Sequence, residues 1–100
     1  MPLVLSQRPE IFLPYFRFSN SILFDPKHLD RKTVELAAVA AGSALASEHC
    51  LEVHMAQAQA AGASRDEVLE AIMVGAFMAL TRSQSVALRA FEGMTERDKG

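Results

Sequence analysis

One hundred residues with a net charge of −2 and a pI near 5.9 make one domain without the basic surface that nucleic acid demands. Half of the residues are hydrophobic and only 22% are charged, a lean polar supply that predicts burial of surface against other subunits. One cysteine excludes an internal disulfide framework, and the apolar opening Met1-Pro2-Leu3-Val4-Leu5 lacks the basic region and cleavage site of a secretion signal.

Ser6 is the predicted cap of a first helix, with Pro9 and Glu10 favourable in its first turn. Pro14 removes one backbone hydrogen bond or ends a short first piece. This segment holds Phe12, Tyr15, Phe16, Phe18 and Phe24, leaving only Phe77 and Phe91 elsewhere. These rings read as core, or as side chains that dock into a neighbouring subunit. Asp25-Pro26 marks a loop.

Asp30 is the predicted N-cap of a second helix through Val34, Leu36, Val39 and Leu45 to about Ala46, rich in alanine. A break near Ala46 then lets Ser47 cap a third helix carrying Cys50 and His54 and ending at Gly62. Ser64-Arg65-Asp66-Glu67 is a capping box that opens a fourth helix. Behind it, Val68, Leu69, Ile72, Met73, Ala76, Phe77 and Leu80 follow the period of a buried stripe. The uncharged run Ala71 to Thr81 is about half of a membrane span, so the chain reads as soluble and cytoplasmic, with no membrane partner. A fifth helix, roughly Ser83 to Gly93, places Ala87, Leu88, Phe91 and Met94 on one side, and the mixed-sign tail after it is solvated. No alternation of period two argues for a strand. The expected fold is all-α, about five helices in a single domain over residues 1–100, with no repeat and no linker.

Chemistry centres on Cys50. A free cysteine is often only a small buried hydrophobe. Capped by Ser47, however, Cys50 falls at the third helical position, where unpaired N–H groups and the helix dipole favour a thiolate. His54 follows four residues later on the same face, so thiol and imidazole can meet, the minimal arrangement for an activated sulfur nucleophile. His54 reads equally as a satisfied, half-buried polar residue. His49 is offset to another side and faces solvent. Zinc needs three or four ligands and Cys50 with His54 gives two, so the residues call for neither metal nor cofactor. Glu35 is the only charge along Glu35, Val39, Gly42 and Ala46; it is either an exposed glutamate near a helix start or a buried one that requires a partner. Glu48 and Glu52 compete for a place near the pair, but helical phase turns both partly away.

Arg8-Pro9-Glu10, Leu29-Asp30-Arg31-Lys32-Thr33-Val34-Glu35-Leu36, Cys50-Leu51-Glu52-Val53-His54 and the run Ala60 to Ala71 resemble the AhpD-like, carboxymuconolactone decarboxylase superfamily. The likeness covers Arg8 to about Leu80. Peroxidase-type members carry a glutamate twelve residues before a Cys-x-x-Cys-x-x-x-His motif, and Glu35, Ser47, Cys50 and His54 meet that spacing with serine at the first cysteine.

The resemblance implies an AhpD-like helical bundle and a thiol-dependent peroxide reductase of peroxiredoxin-type activity. Cys50 is then the nucleophile, His54 and Glu35 a proton relay, and Ser47 a cap and hydrogen-bond donor. Because Ser47 forms no disulfide, resolution needs an external thiol. The decarboxylase branch implies instead a lyase in which His54 moves protons on a lactone acid. That site wants a cation for carboxylates, and near the motif only distant Arg65 and Arg82 offer one. A third reading is a non-catalytic helical module or oxidant sensor. The family's habit of assembly implies a homohexamer, with a homotrimer next, and the aromatic first helix in the interface.

Overall fold

The computed structural model describes residues 8–99, and among them every regular element is a helix. Four helices follow in order: α1 Pro9–Leu23, α2 Arg31–Leu45, α3 Glu48–Ala60 and α4 Arg65–Lys99. Ser6, the expected cap of α1, lies outside the described residues; Arg8 occupies the cap position, with Pro9 just inside the helix. Pro14 sits within α1 without ending it.

The second and third helices begin and end where their local chemistry predicts. The Asp30 carboxylate accepts the Thr33 N–H at 2.7 Å and caps α2. The same bond holds the Asp30 carboxyl below the usual carboxylate range. Ala46 closes α2 in the left-handed conformation, φ 55°, with its N–H and that of Ser47 turned back to Ser43 and Gly42 carbonyls. Gly62, at φ 102°, makes the turn after α3. The capping box of α4 is reciprocal: Ser64 N–H donates to Glu67 at 2.8 Å and Glu67 N–H to the Ser64 hydroxyl at 3.0 Å. Lys32 of α2 clips the same carboxylate at 2.9 Å.

The fourth and fifth expected helices are one, a 35-residue α4. The expected new helix from about Ser83 does not begin there, because no proline or glycine interrupts residues 76–92. The Thr81 hydroxyl donates back to the Met78 carbonyl at 2.9 Å, so the polar stretch is satisfied inside a continuing helix.

α2 is the centre of the protomer, packing along both α3 and α4, while α1 touches only α2 and sparsely. The core is small: Val39, Ala58, Ala63 and Val68, flanked by Leu36, Leu51, Met55, Ala71 and Ile72. Its tightest point is Gly75, where a Cβ would overlap the Ala40 carbonyl oxygen and stand 2.8 Å from its carbon.

Two core expectations are corrected. α1 has no buried residue, and Tyr15, Phe16, Phe18 and Phe24 are exposed. In α4 the expected stripe divides: Val68 and Ile72 face the core, whereas Leu69, Met73, Phe77 and Leu80 are 53–61% exposed. The physical reason is that α4 is apolar on two faces and the protomer covers one. Leu88, Phe91 and Met94 are exposed as well. The radius of gyration, 18.7 Å, is well above the about 13 Å of a compact chain of this length. By length and composition α4 is also the one helix, among the described residues, able to cross a membrane, with a window of mean hydropathy 1.3 that is 6% buried.

Candidate active site

The site is built where α3 packs along α2. Glu35 lies one turn into α2 on its inward face and is fully buried, the only buried charged side chain among the described residues. A buried carboxylate must be paired or hydrogen-bonded, and Glu35 is surrounded by donors. His54 Nδ1 stands 2.7 Å from Oε2. The Arg31 guanidinium, one helical turn earlier, donates to Oε1 at 3.2 Å. Gln57, with its amide nitrogen toward the carboxylate, the orientation in which both ends are satisfied, donates to the two oxygens at 3.0 and 3.1 Å. An ionised carboxylate only accepts, so with Glu35 ionised it is His54 Nδ1 that donates in this bond, and the neutral ring then keeps a bare Nε2.

Of the two sequence-level readings of Glu35, the buried and partnered one holds. Its partners include two residues to which the sequence assigned no role, Arg31 and Gln57. Arg31 also corrects the search for a cation: the nearest one is neither Arg65 nor Arg82 but the residue four before Glu35, at helical spacing. Phe24, in the connection after α1, stacks on that guanidinium with Cζ 4.5 Å from the ring centroid. Arg31 and Gln57 line a shallow groove with Ala60 and Ala61.

Cys50 falls at the third position of α3, as expected, and is exposed. It is therefore not a packed core cysteine. No hydrogen bond joins its sulfur to His54; the thiol stands in solvent one turn before the imidazole, whose side chain is 16% exposed.

Ser47 takes the cap position with extended backbone, and its carbonyl accepts the Leu51 N–H at 3.0 Å. Its hydroxyl, however, accepts no backbone N–H, so the side-chain cap expected at this helix start is not made. The N–H groups of the first turn, that of Cys50 included, are thus left without a side-chain cap. His49, Glu48 and Glu52 are exposed, as helical phase predicts. Among the described residues, no three of His, Cys, Asp and Glu gather as a metal would need.

Comparison with known proteins places this geometry in a family. No curated protein and no solved structure matches the chain. The profile of one family matches residues 9–93, from the first turn of α1 deep into α4 and across every residue of the site. The chain belongs to the carboxymuconolactone decarboxylase family.

Proposed function

We propose that the protein is a thiol-dependent peroxide reductase in which Cys50 is the nucleophile and His54 and Glu35 carry the proton. The observation that carries this reading is the Glu35–His54 pair, a buried carboxylate fixing the tautomer of an imidazole one turn from an exposed thiol. His54 Nε2 accepts the Cys50 proton, and the thiolate attacks one peroxide oxygen. The O–O bond breaks, the departing alkoxide takes that proton back, and Cys50 is left as a sulfenic acid. An external thiol attacks the sulfenic sulfur, expelling water, and a second thiol reduces the mixed disulfide. No metal or cofactor enters these steps.

Cys50 is expected to react with iodoacetamide faster than a free thiol at neutral pH, and Glu35→Gln to slow it. An ordinary alkylation rate removes the reason to call the thiol activated.

The runner-up is a decarboxylase-type lyase with His54 as acid and base, and Arg31 is what favours it, since the site now has a cation. That guanidinium is already engaged by Glu35 and Phe24, which ranks the reading second. It predicts full turnover of a lactone acid in Cys50→Ser. A non-catalytic oxidant sensor predicts sulfenic acid formation without turnover.

As part of the same proposal, the protein acts in the cytoplasm as a homo-oligomer, a hexamer first and a trimer next. Support comes from the apolar faces of α1 and α4 that one protomer leaves uncovered.

A further inference from the structure

The geometry points to Arg31 and Gln57 as positioning residues that keep Glu35 ionised and His54 neutral, a role that deepens and rests on the proton relay proposed above. With His54 as its only partner, a fully buried carboxylate has two ways to offset its charge. It can hold the imidazole as a cation, or it can take the proton itself. Either state removes the base that Cys50 needs, because an imidazolium has no lone pair and a protonated carboxyl no longer anchors an Nδ1–H.

Arg31 resolves this. Its guanidinium is permanently charged, sits 3.2 Å from Oε1, and lies over the Phe24 ring. It supplies the positive charge that His54 otherwise has to supply. Gln57 adds two neutral donors from the next turn of α3, so that both carboxylate oxygens are engaged without a second cation. The groups around the pair are then Arg31 from α2, Gln57 from α3 and Phe24 from the connection after α1. α4 adds no ion pair to Glu35, its first-turn Glu67 being taken by Lys32 and Ser64. Charge on Glu35 and neutrality on His54 are thereby set by residues that act through the pair.

The test is an NMR titration of the His54 ring nitrogens in the full chain, with the signal assigned through His54→Gln. At neutral pH the wild type is expected to show the Nδ1–H tautomer with a bare Nε2. Arg31→Gln is expected to raise the midpoint of His54 protonation, Arg31→Lys to restore most of it, and Gln57→Leu to raise it less. A purely structural role for Arg31 lowers the unfolding midpoint and leaves the His54 titration of the folded protein where it was. Unchanged midpoints in the variants that retain their helical circular dichroism overturn the inference; should Arg31→Gln not fold, Gln57→Leu and Arg31→Lys decide it. The outcome is separable from that of the peroxidase reading. A shifted His54 titration beside an inert Cys50 keeps the positioning role and discards the thiol chemistry.

Discussion

Glu35 Oε2 and His54 Nδ1 lie 2.7 Å apart across the α2–α3 contact, the carboxylate sealed from solvent. The pair is a structural anchor as well as a candidate relay. Glu35→Gln keeps the shape but turns an NH2 toward Arg31, His54 and Gln57, so at least one buried group loses its bond. A loss of about 1–3 kcal/mol is expected. Glu35→Leu also leaves the Arg31 charge without its carboxylate and should cost about 3 kcal/mol, at the low end for a broken buried pair because Arg31 reaches water. Urea unfolding of both variants checks the order; equal, negligible losses contradict the anchor.

What sequence could say about this site depended on periodicity and on local caps. Asp30, Gly62 and the Ser64–Glu67 box act within a few residues of themselves, and each stands where the pattern put it. Cys50 and His54 shared a helix, so their phase was readable, and the Glu35 position came from the spacing of a known motif. The Arg31 and Gln57 contacts were not readable, because they depend on how α2 and α3 are rotated against each other. A glutamate four residues after an arginine is an ordinary surface pair until one knows that the carboxylate is buried. The same limit explains α4: an apolar period tells which residues share a face, but not which of two apolar faces the protomer itself covers.

Two backbone positions predict opposite responses to a single methyl group. Gly75→Ala gains helix propensity, but its Cβ overlaps the Ala40 carbonyl, which belongs to the backbone of α2 and cannot rotate away. The overlap outweighs the gain, and a net loss of about 1–3 kcal/mol is expected. Ala46→Gly works the other way. Ala46 holds φ 55°, so removing its Cβ relieves left-handed strain of about 1–2 kcal/mol against a smaller entropic cost, and stability should rise by about 0.5–1 kcal/mol. Thermal melts of the two variants should move in opposite directions.

The α4 capping box predicts an acid-sensitive helix start. The Ser64 N–H first, and Lys32 next, hold the Glu67 carboxyl below its usual range. The folded state therefore releases this proton more readily than the unfolded state. Its contribution is complete above the ordinary glutamate range and fades as pH falls through the lowered folded value. Stability measured from pH 7 down to pH 3 should decline through this window, and Glu67→Gln should flatten part of the decline. Ser64→Ala should cost about 1 kcal/mol at neutral pH.

Leu69, Met73, Phe77 and Leu80 form an outward face on α4 that predicts its own partner. If copies of the chain cover it, Phe77→Glu should shift the particle mass from an oligomer toward the protomer in light scattering and lower the melting temperature with it. A monomer at micromolar concentration in the wild type contradicts the assembly. Because α4 also has the length and hydropathy to enter a bilayer, sedimentation with vesicles is the companion measurement. The oligomer reading expects the wild type to remain in the supernatant.

The sharpest chemical prediction concerns the serine three residues before Cys50. Ser47 sits at the helix cap with extended backbone and an unengaged hydroxyl, so its side chain can be changed without breaking a cap bond. Residues three apart at a helix start fall in the Cα separation of about 4.4–6.8 Å that a disulfide tolerates. Ser47→Cys is therefore expected to fold like the wild type. On addition of one equivalent of peroxide, the sulfenic acid formed at Cys50 should be attacked by the new thiol, releasing water and closing a disulfide within one chain. Two free thiols per chain should fall to none, with a mass decrease of two hydrogens and no oxygen retained. Wild type under the same treatment should keep the oxygen, or pass to a mixed disulfide when a small thiol is supplied. If the variant instead keeps both thiols after peroxide, Cys50 is not oxidised in this setting and the peroxidase reading fails. If it accumulates the sulfenic acid without closing the disulfide, oxidation at Cys50 stands while Ser47 does not occupy a resolving position.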